Sequence, residues 1–234
     1  MILCIAAMNE EYDALVDLLD NAKEETSHHV KVHRGQIDNK EVLLMLSGIG
    51  KVNATLTLTT ILNDYKNIEF IINIGSAGGI KSKYNVKQLD IVVAKKVCQH
   101  DVDLTAAGDR PYGEIPGMPL YFETNLQQIM LEALASTNLT YHTATIASGD
   151  TFVATEEKAN FIEEHFEDVC AVDMEAGAIA QVAYVKEIPF VVFRSISDVV
   201  GEEEDGNQLQ FDKYILEASK NSALATKAVI QTFK

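Results

Sequence analysis

Short apolar runs alternate with amphipathic segments along almost all of the 234 residues, and few architectures satisfy that pattern. Ile2–Ala7, Phe70–Ile74, Leu89–Val97, Tyr141–Ala147, Val169–Val172 and Phe190–Ser195 are rich in aliphatic and β-branched residues at consecutive positions. A strand of that kind is apolar on both faces and needs cover on both. Residues 9–20, 50–65, 126–136, 156–166, 176–185 and 212–233 carry helical periodicity instead, the first with Tyr12, Leu15, Val16 and Leu19 on one stripe. Val30–Ile37 and Glu41–Leu46, joined by the turn-prone Asp38-Asn39-Lys40, predict an antiparallel hairpin. The region from Leu104 to Tyr121 holds three of the four prolines and predicts irregular chain. Together these elements predict an α/β fold, a three-layer α/β/α sandwich around a mixed, largely parallel twisted sheet. With no linker, repeat or low-complexity tract, residues 1–234 read as one domain.

Charge and cysteine usage narrow the function. Acidic and basic residues, 35 against 19, leave a net charge of −16. Such a surface repels nucleic acid and anionic membranes, so neither is expected as a partner, and highly phosphorylated substrates are disfavoured. A neutral or partly cationic small molecule meets no such barrier. The acidic run from Gly201 to Gly206 reads as a solvated, mobile loop. Cys4, Cys98 and Cys170 lie far apart with no CxxC pair, which predicts buried free thiols in a reducing compartment, the cytoplasm. The apolar start, Met1 to Met8, is short and runs straight into Asn9-Glu10-Glu11, so it reads as a first strand and not a leader. No stretch reaches the roughly 18 apolar residues of a membrane-spanning helix.

In open α/β sheets ligands bind beyond the carboxyl ends of the strands. Here those ends deliver Met8 and Glu11, then Gly75-Ser76-Ala77-Gly78, then Ser148-Gly149-Asp150-Thr151-Phe152-Val153, then Asp173-Met174-Glu175, and finally Ser197-Asp198. Carboxylates, small hydroxyls, glycines and an aromatic at successive strand ends describe a polar crevice. Taken singly, each has a plainer reading. Glu11 and Glu175 suit the first turn of a helix, Asp150 and Asp198 suit caps, and Phe152 and Met174 suit a core. Gly75–Gly79 lacks the spacing of a dinucleotide or phosphate loop, and alone it predicts a tight strand–helix turn. Ser148-Gly149-Asp150 is not a nucleophile elbow. The six histidines show no ligand spacing, and His28-His29 on a strand would face opposite ways, so no metal is expected.

Six blocks stand in one order: Ala7-Met8-Asn9-Glu10-Glu11, Ser47-Gly48-Ile49-Gly50-Lys51, Asn73-Ile74-Gly75-Ser76-Ala77-Gly78-Gly79, Ser148-Gly149-Asp150, Val172-Asp173-Met174-Glu175-Ala176 and Arg194-Ser195-Ile196-Ser197-Asp198. In order and spacing the set resembles the bacterial 5′-methylthioadenosine/S-adenosylhomocysteine nucleosidases, relatives of the purine nucleoside and uridine phosphorylases. The resemblance implies a nucleoside phosphorylase-like sandwich that forms a homodimer. It also implies hydrolysis of the bond between adenine and a 5′-thio-substituted ribose, with 5′-deoxyadenosine as a further substrate and no cofactor. Phosphorylases of this group carry arginines after the first strand and before the glycine turn. Asn9-Glu10-Glu11 and Asn73 occupy those places here, and a carboxylate there repels phosphate and accepts a proton from water. A purine nucleoside phosphorylase and a non-catalytic nucleoside-binding relative are the alternatives.

Carried over residue by residue, the resemblance makes Glu11 the base that activates water and Asp198, helped by Ser197, the acid at adenine N7. Glu175 would accept hydrogen bonds from the ribose hydroxyls, with Met174 packed on the sugar. Phe152 would stack on adenine and Val153 would read its edge through backbone groups. Ser76, Ala77 and Gly78 would border the nucleoside, and Met8, Ile49 and Phe211 would line the 5′-thio pocket. Two places depart from the family pattern. The loop that brings a partner-subunit aromatic to the 5′ pocket reads Thr105-Ala106-Ala107-Gly108 here, with Tyr112 the next aromatic, and Asp173 stands where a longer acid is common.

Overall fold

The computed structural model describes residues 1–81, 84–125, 127–201 and 206–233, and in it the alternation becomes a single large sheet between helices. The chain opens with β1 (Ile2–Ala6) and α1 (Asn9–Val16), followed by β2 (Asp20–Ser27), β3 (Val30–Ile37) and β4 (Lys40–Leu46). Helix α2 (Lys51–Asp64) leads to β5 (Phe70–Asn73), β6 (Ser76–Gly79) and β7 (Ile91–Gln99). After a 3-10 turn at Thr105–Ala107 come β8 (Phe122–Glu123), α3 (Gln127–Ala135), β9 (Tyr141–Ser148) and α4 (Glu156–His165). Then follow β10 (Val169–Asp173), α5 (Ala176–Val185), β11 (Phe190–Val199) and α6 (Gly206–Thr232).

The eleven strands run in the order β2-β3-β4-β1-β5-β11-β6-β10-β9-β7-β8. β1 sits parallel between β4 and β5, and β11 continues parallel on β5. Antiparallel pairing enters at the β2–β3–β4 meander and where β6 meets β10. Past Val192, β11 leaves β5 and pairs with both β7 and β6, so that β11, β6, β10, β9 and β7 close on themselves.

Period-two alternation explains why these strands are apolar throughout. Leu3 and Ile5 of β1 face one core with α2 and α5, whereas Ile2, Cys4 and Ala6 face a second core with α1, α3 and α6. Ile71 and Val192 join the first, and Phe70, Ile72, Val191 and Phe193 the second. A third, smaller core under α4 gathers Ile162, Phe166, Val169 and Val172. All three cysteines are buried and free. No helix among the described residues is long and apolar enough to cross a membrane.

Several boundaries differ from expectation, each for a physical reason. The first helix ends at Val16 and not near residue 20, because the chain turns at Asp17 to start β2. That strand, Asp-Asn-Ala-Lys-Glu-Glu-Thr-Ser, has its first seven residues exposed at the sheet edge, so backbone pairing with β3 defines it and no apolar pattern marks it. His28-His29 form the turn of this β2–β3 hairpin and do not lie on a strand. The Asp38-Asn39 turn does lie where expected, with φ of 51° and 62°. Gly75 leads into another strand, β6, and not into a helix. The last helix starts at Gly206, ahead of residue 212, because its first turn turns polar Asn207 and Gln210 inward and so lacks an apolar stripe. The acidic run expected to form a mobile loop falls largely on residues 202–205, outside the described residues. Tyr112 packs edge-on against Phe161 of α4, with ring centroids 5.0 Å apart.

Candidate active site

Glu11 shows how local sequence places a reactive group. It is the third residue of α1, and its carboxylate reaches back to the helix N-terminus, where Oε2 accepts from the Ala7 and Met8 N–H groups at 3.0 and 3.2 Å. The plain reading of a first-turn acid is therefore true, but it is half the story. Oε1 turns to the next strand end and accepts from Ser76 N and Ser76 Oγ, both at 2.9 Å. Gly75 permits that approach: a Cβ there would lie 3.0 Å from Glu11 Oε1, and its φ of 152° disfavours any side chain. The result is a carboxylate 2% exposed and held by four donors.

Asp198 and Ser197 owe their placement to an irregularity. β11 pairs Ile196 with Ala77 and Asp198 with Gly78, so Ser197 is an extra residue in the ladder. Such a bulge brings consecutive side chains towards one side. Ser197 Oγ donates to Asp198 Oδ1 at 2.7 Å, with the Ala77 carbonyl oxygen also within reach at 3.2 Å. Asp198 Oδ2 accepts from Asn207 Nδ2 of α6 at 2.8 Å. Burial pushes the Asp198 carboxyl up, against the pull of those two donors, so the neutral acid is favoured relative to an exposed aspartate. Gly78 sits between β10 and β11, where a Cβ would lie 3.3 Å from both Asp198 Oδ2 and Val172 Cγ2.

Glu175 stands at the N-cap of α5 but leaves its own helix uncapped. Its Oε1 instead accepts the Gly50 N–H at 2.8 Å, across the cleft. Burial first, and then the Asp173 carboxylate, raise its pKa to about 8, while Arg194 and the Gly50 N–H work in the opposite direction. Asp173 itself is structural: Oδ2 accepts from Arg194 Nη2 at 2.5 Å and from Ala176 N at 3.0 Å, and Oδ1 accepts from Ser148 Oγ. Arg194, 1% exposed, also donates to the Asn73 side-chain oxygen at 2.8 Å. A guanidinium thus lies beneath the site, saturated by buried partners and absent from the cleft wall. Asp150, a cap on its plainer reading, is one: its Oδ1 accepts the Lys51 N–H at 2.7 Å at the start of α2.

The raised Glu175 pKa makes a prediction about stability. Between the ordinary value near 4.5 and about 8, the folded chain binds a proton that the unfolded chain has lost. Stability from this group is therefore intact at acid pH and declines as pH rises through that window. Glu175→Gln removes the titration, so its Tm relative to wild type is expected to climb with pH by on the order of ten degrees in all. Melting curves across the window check this, and a pH-independent difference would contradict it.

These groups meet in one cleft of about 310 Å³. Met8, Glu11 and Ile49 form one wall, Ser76, Ala77 and Gly78 the floor, and Phe152 with Val153 a second wall. Met174, Glu175, Ser197 and Asp198 face them, and Phe211 closes one end with its ring edge-on to Phe152, centroids 6.3 Å apart. Each residue given a catalytic or substrate-binding role by the resemblance lines this cavity, whereas Ser148, Gly149 and Asp150 from the same list of strand ends do not. Phe152 is 44% exposed and is no core filler. Sequence reasoning missed Gln208, on the cleft wall, and Asn207, behind Asp198. The signal for both was the polar pair Asn207-Gln208 four and three residues before Phe211. No lysine, arginine or histidine lines the cleft among the described residues, and no trio of metal-ligating side chains occurs among them.

The phosphorylase superfamily matches residues 1–231. The 5′-methylthioadenosine/S-adenosylhomocysteine nucleosidase of Bacillus subtilis (strain 168) is 39% identical over 233 residues, covering 98% of this chain and 96% of that protein. The nucleosidase of the same name from S. pneumoniae, solved with a transition-state inhibitor, aligns with a TM-score of 0.90 at 38% identity over 100% of this chain and 99% of that one. The futalosine hydrolase of Helicobacter pylori strain 26695 aligns with a TM-score of 0.90 at 32% identity, over 99% and 97% of the two chains.

Proposed function

Because this chain belongs to the phosphorylase superfamily, among its 5′-methylthioadenosine/S-adenosylhomocysteine nucleosidases, we infer that it uses water to cut the N-glycosidic bond of those two nucleosides. Adenine and the 5-thio-substituted ribose are the products. The observation that carries hydrolysis over phosphorolysis is the cleft wall, with four carboxyl groups (Glu11, Asp173, Glu175, Asp198) and, among the described residues, no cation. A phosphate dianion entering that wall finds no cation among the described residues to pair with and faces the Glu11 carboxylate.

Each step then falls to a residue already placed. Glu11 takes a proton from water as its oxygen attacks C1′, and the C1′–N9 bond electrons pass to the purine. Asp198, whose neutral form burial favours, delivers its proton to N7 so that adenine leaves neutral. Glu175 accepts from the ribose hydroxyls, and Met174 packs against the sugar. Phe152 stacks on the base, whose edge meets the backbone at Val153. The oxygen-rich wall favours the oxocarbenium-like transition state over the neutral substrate, which is the differential that accelerates a reaction. Met8, Ile49 and Phe211 suit an apolar 5′-thio substituent, and 5′-deoxyadenosine fits the same pocket.

The test is incubation without phosphate of methylthioadenosine, S-adenosylhomocysteine, 5′-deoxyadenosine and inosine, with free base followed by chromatography. Adenine release independent of phosphate is expected. Turnover only with phosphate, yielding ribose 1-phosphate, would make the protein a phosphorylase, and no adenine at all would make it a binding protein. Futalosine in the same panel separates the two 5′ specificities that this fold hosts.

The chain reads as one domain that works as a homodimer in the cytoplasm. Val52 and Leu56 of α2 and Val185 of α5 are exposed along one groove, while Ala54, Leu58 and Ile61 on the opposite face of α2 are buried in the chain's own core. Free buried cysteines suit a reducing compartment. Light scattering that gives the 25.8 kDa of a single chain would contradict the dimer.

A further inference from the structure

We propose that Asn207 is a positioning residue for the acid: from the first turn of α6 its side-chain amide fixes Asp198 so that the acid's proton faces the cleft. The proposal rests on the reading of Asp198 given above. Asn207 is 7% exposed, and its Nδ2 donates to Asp198 Oδ2 at 2.8 Å. Buried amides cost stability unless paired, so this one is committed to its acceptor.

The two neighbours of Asp198 differ in what they can do. Ser197 Oγ lies 2.7 Å from Oδ1 and 3.2 Å from the Ala77 carbonyl oxygen, so its hydroxyl can donate to either, and it can also accept. An amide N–H has no lone pair and can only donate. Asn207, with Nδ2 turned to Asp198, therefore keeps the carboxyl proton from pointing towards α6, and while Ser197 donates to Oδ1 the direction left to that proton is the cleft that Asp198 lines. As the Asp198 O–H bond breaks and N7–H forms, negative charge grows on the carboxyl. The amide hydrogen bond strengthens as it does, because bonds to ionised acceptors are stronger than bonds to neutral ones. An interaction that tightens on the way to the transition state raises kcat and leaves substrate affinity alone. Gln208 and Phe211, from the same stretch of α6, line the cleft, so the helix that walls the pocket also orients the acid.

The charged groups sharing the cleft with Asp198 are Glu11 from α1 and Asp173 and Glu175 from the β10–α5 junction; among the described residues no cation lines it. Asn207 and Ser197 are the influences that lower the Asp198 pKa, and removing the amide raises it further.

The experiment is hydrolysis of methylthioadenosine in phosphate-free buffer by wild type, Asn207→Leu, Asn207→Ser and Asp198→Asn, with kcat and KM measured across the neutral pH range. Asn207→Leu is expected to lose roughly ten- to a hundredfold in kcat with KM within a few-fold. The alkaline fall of its kcat should move to higher pH, and Asn207→Ser, which keeps a donor, should recover part of the rate. A loss confined to KM or to thermal stability, with the alkaline limb unmoved, overturns the proposal. If the leucine variant does not fold, the limb of Asn207→Ser decides in the same way. Asp198→Asn separates the two levels. If it is inactive while the Asn207 variants behave as wild type, only this proposal fails; if it is active, the reading of Asp198 as the acid fails first.

Discussion

Glutamine at position 11 is expected to lower kcat by roughly 10²–10⁴-fold, the range over which a general base contributes. The substitution keeps shape and removes the group proposed to take the proton from water. It also disturbs the cradle. Glu11 accepts four hydrogen bonds, two on each oxygen, whereas a glutamine amide presents an acceptor on one side and donors on the other. Either the Ala7 and Met8 N–H groups or those of Ser76 lose their acceptor, at a cost of about 1–3 kcal/mol in stability. Activity must therefore be measured well below the lowered Tm. Calorimetric binding of a non-hydrolysable nucleoside shows whether the pocket survives. Near wild-type turnover by Glu11→Gln would remove this carboxylate from the reaction.

The second large effect belongs to Asp198→Asn. Asparagine can still meet N7 with a hydrogen bond but has no proton to give, so kcat should fall by roughly 10²–10⁴-fold while KM changes little. A pH signature accompanies the loss. An acid must be protonated to act, so wild-type kcat declines as pH rises through the Asp198 pKa, which burial sets above that of an exposed aspartate. The residual activity of Asp198→Asn should lack that alkaline decline. A variant that keeps both rate and decline would point to a different acid.

Much of this was legible in the residues alone, and the reason is the physics of α/β sheets. Strands covered on both faces must be continuously apolar, so β1, β5, β9, β10 and β11 announce themselves, and the polar residues just past their ends stand out by contrast. Glu11, Glu175 and Asp198 were visible for that reason, although β1 and Ile196-Ser197-Asp198 lie near opposite ends of the chain and meet only because β1, β5 and β11 lie side by side in the sheet. What stayed hidden has equally definite causes. β2 is made of exposed polar residues and exists because β3 offers it backbone partners. The first turn of α6 buries polar side chains, so periodicity cannot find it. The bulge at Ser197, which aims Asp198, is a property of register between β11 and β6 that neither strand carries by itself. Asp150 illustrates the opposite case, a candidate at a strand end that turned out to cap α2.

The grip on Glu11 has one further consequence. Three of its four donors are backbone N–H groups of Ala7, Met8 and Ser76, which are fixed by the chain, and the fourth is the Ser76 hydroxyl, which rotates freely about its bond to Cβ. That swivel releases a lone pair for an incoming solvent molecule without moving the backbone. On the proposed reading of Glu11 as the base, recruitment of the nucleophile is the turn of one O–H through a fraction of a circle, with no rearrangement of the scaffold around it.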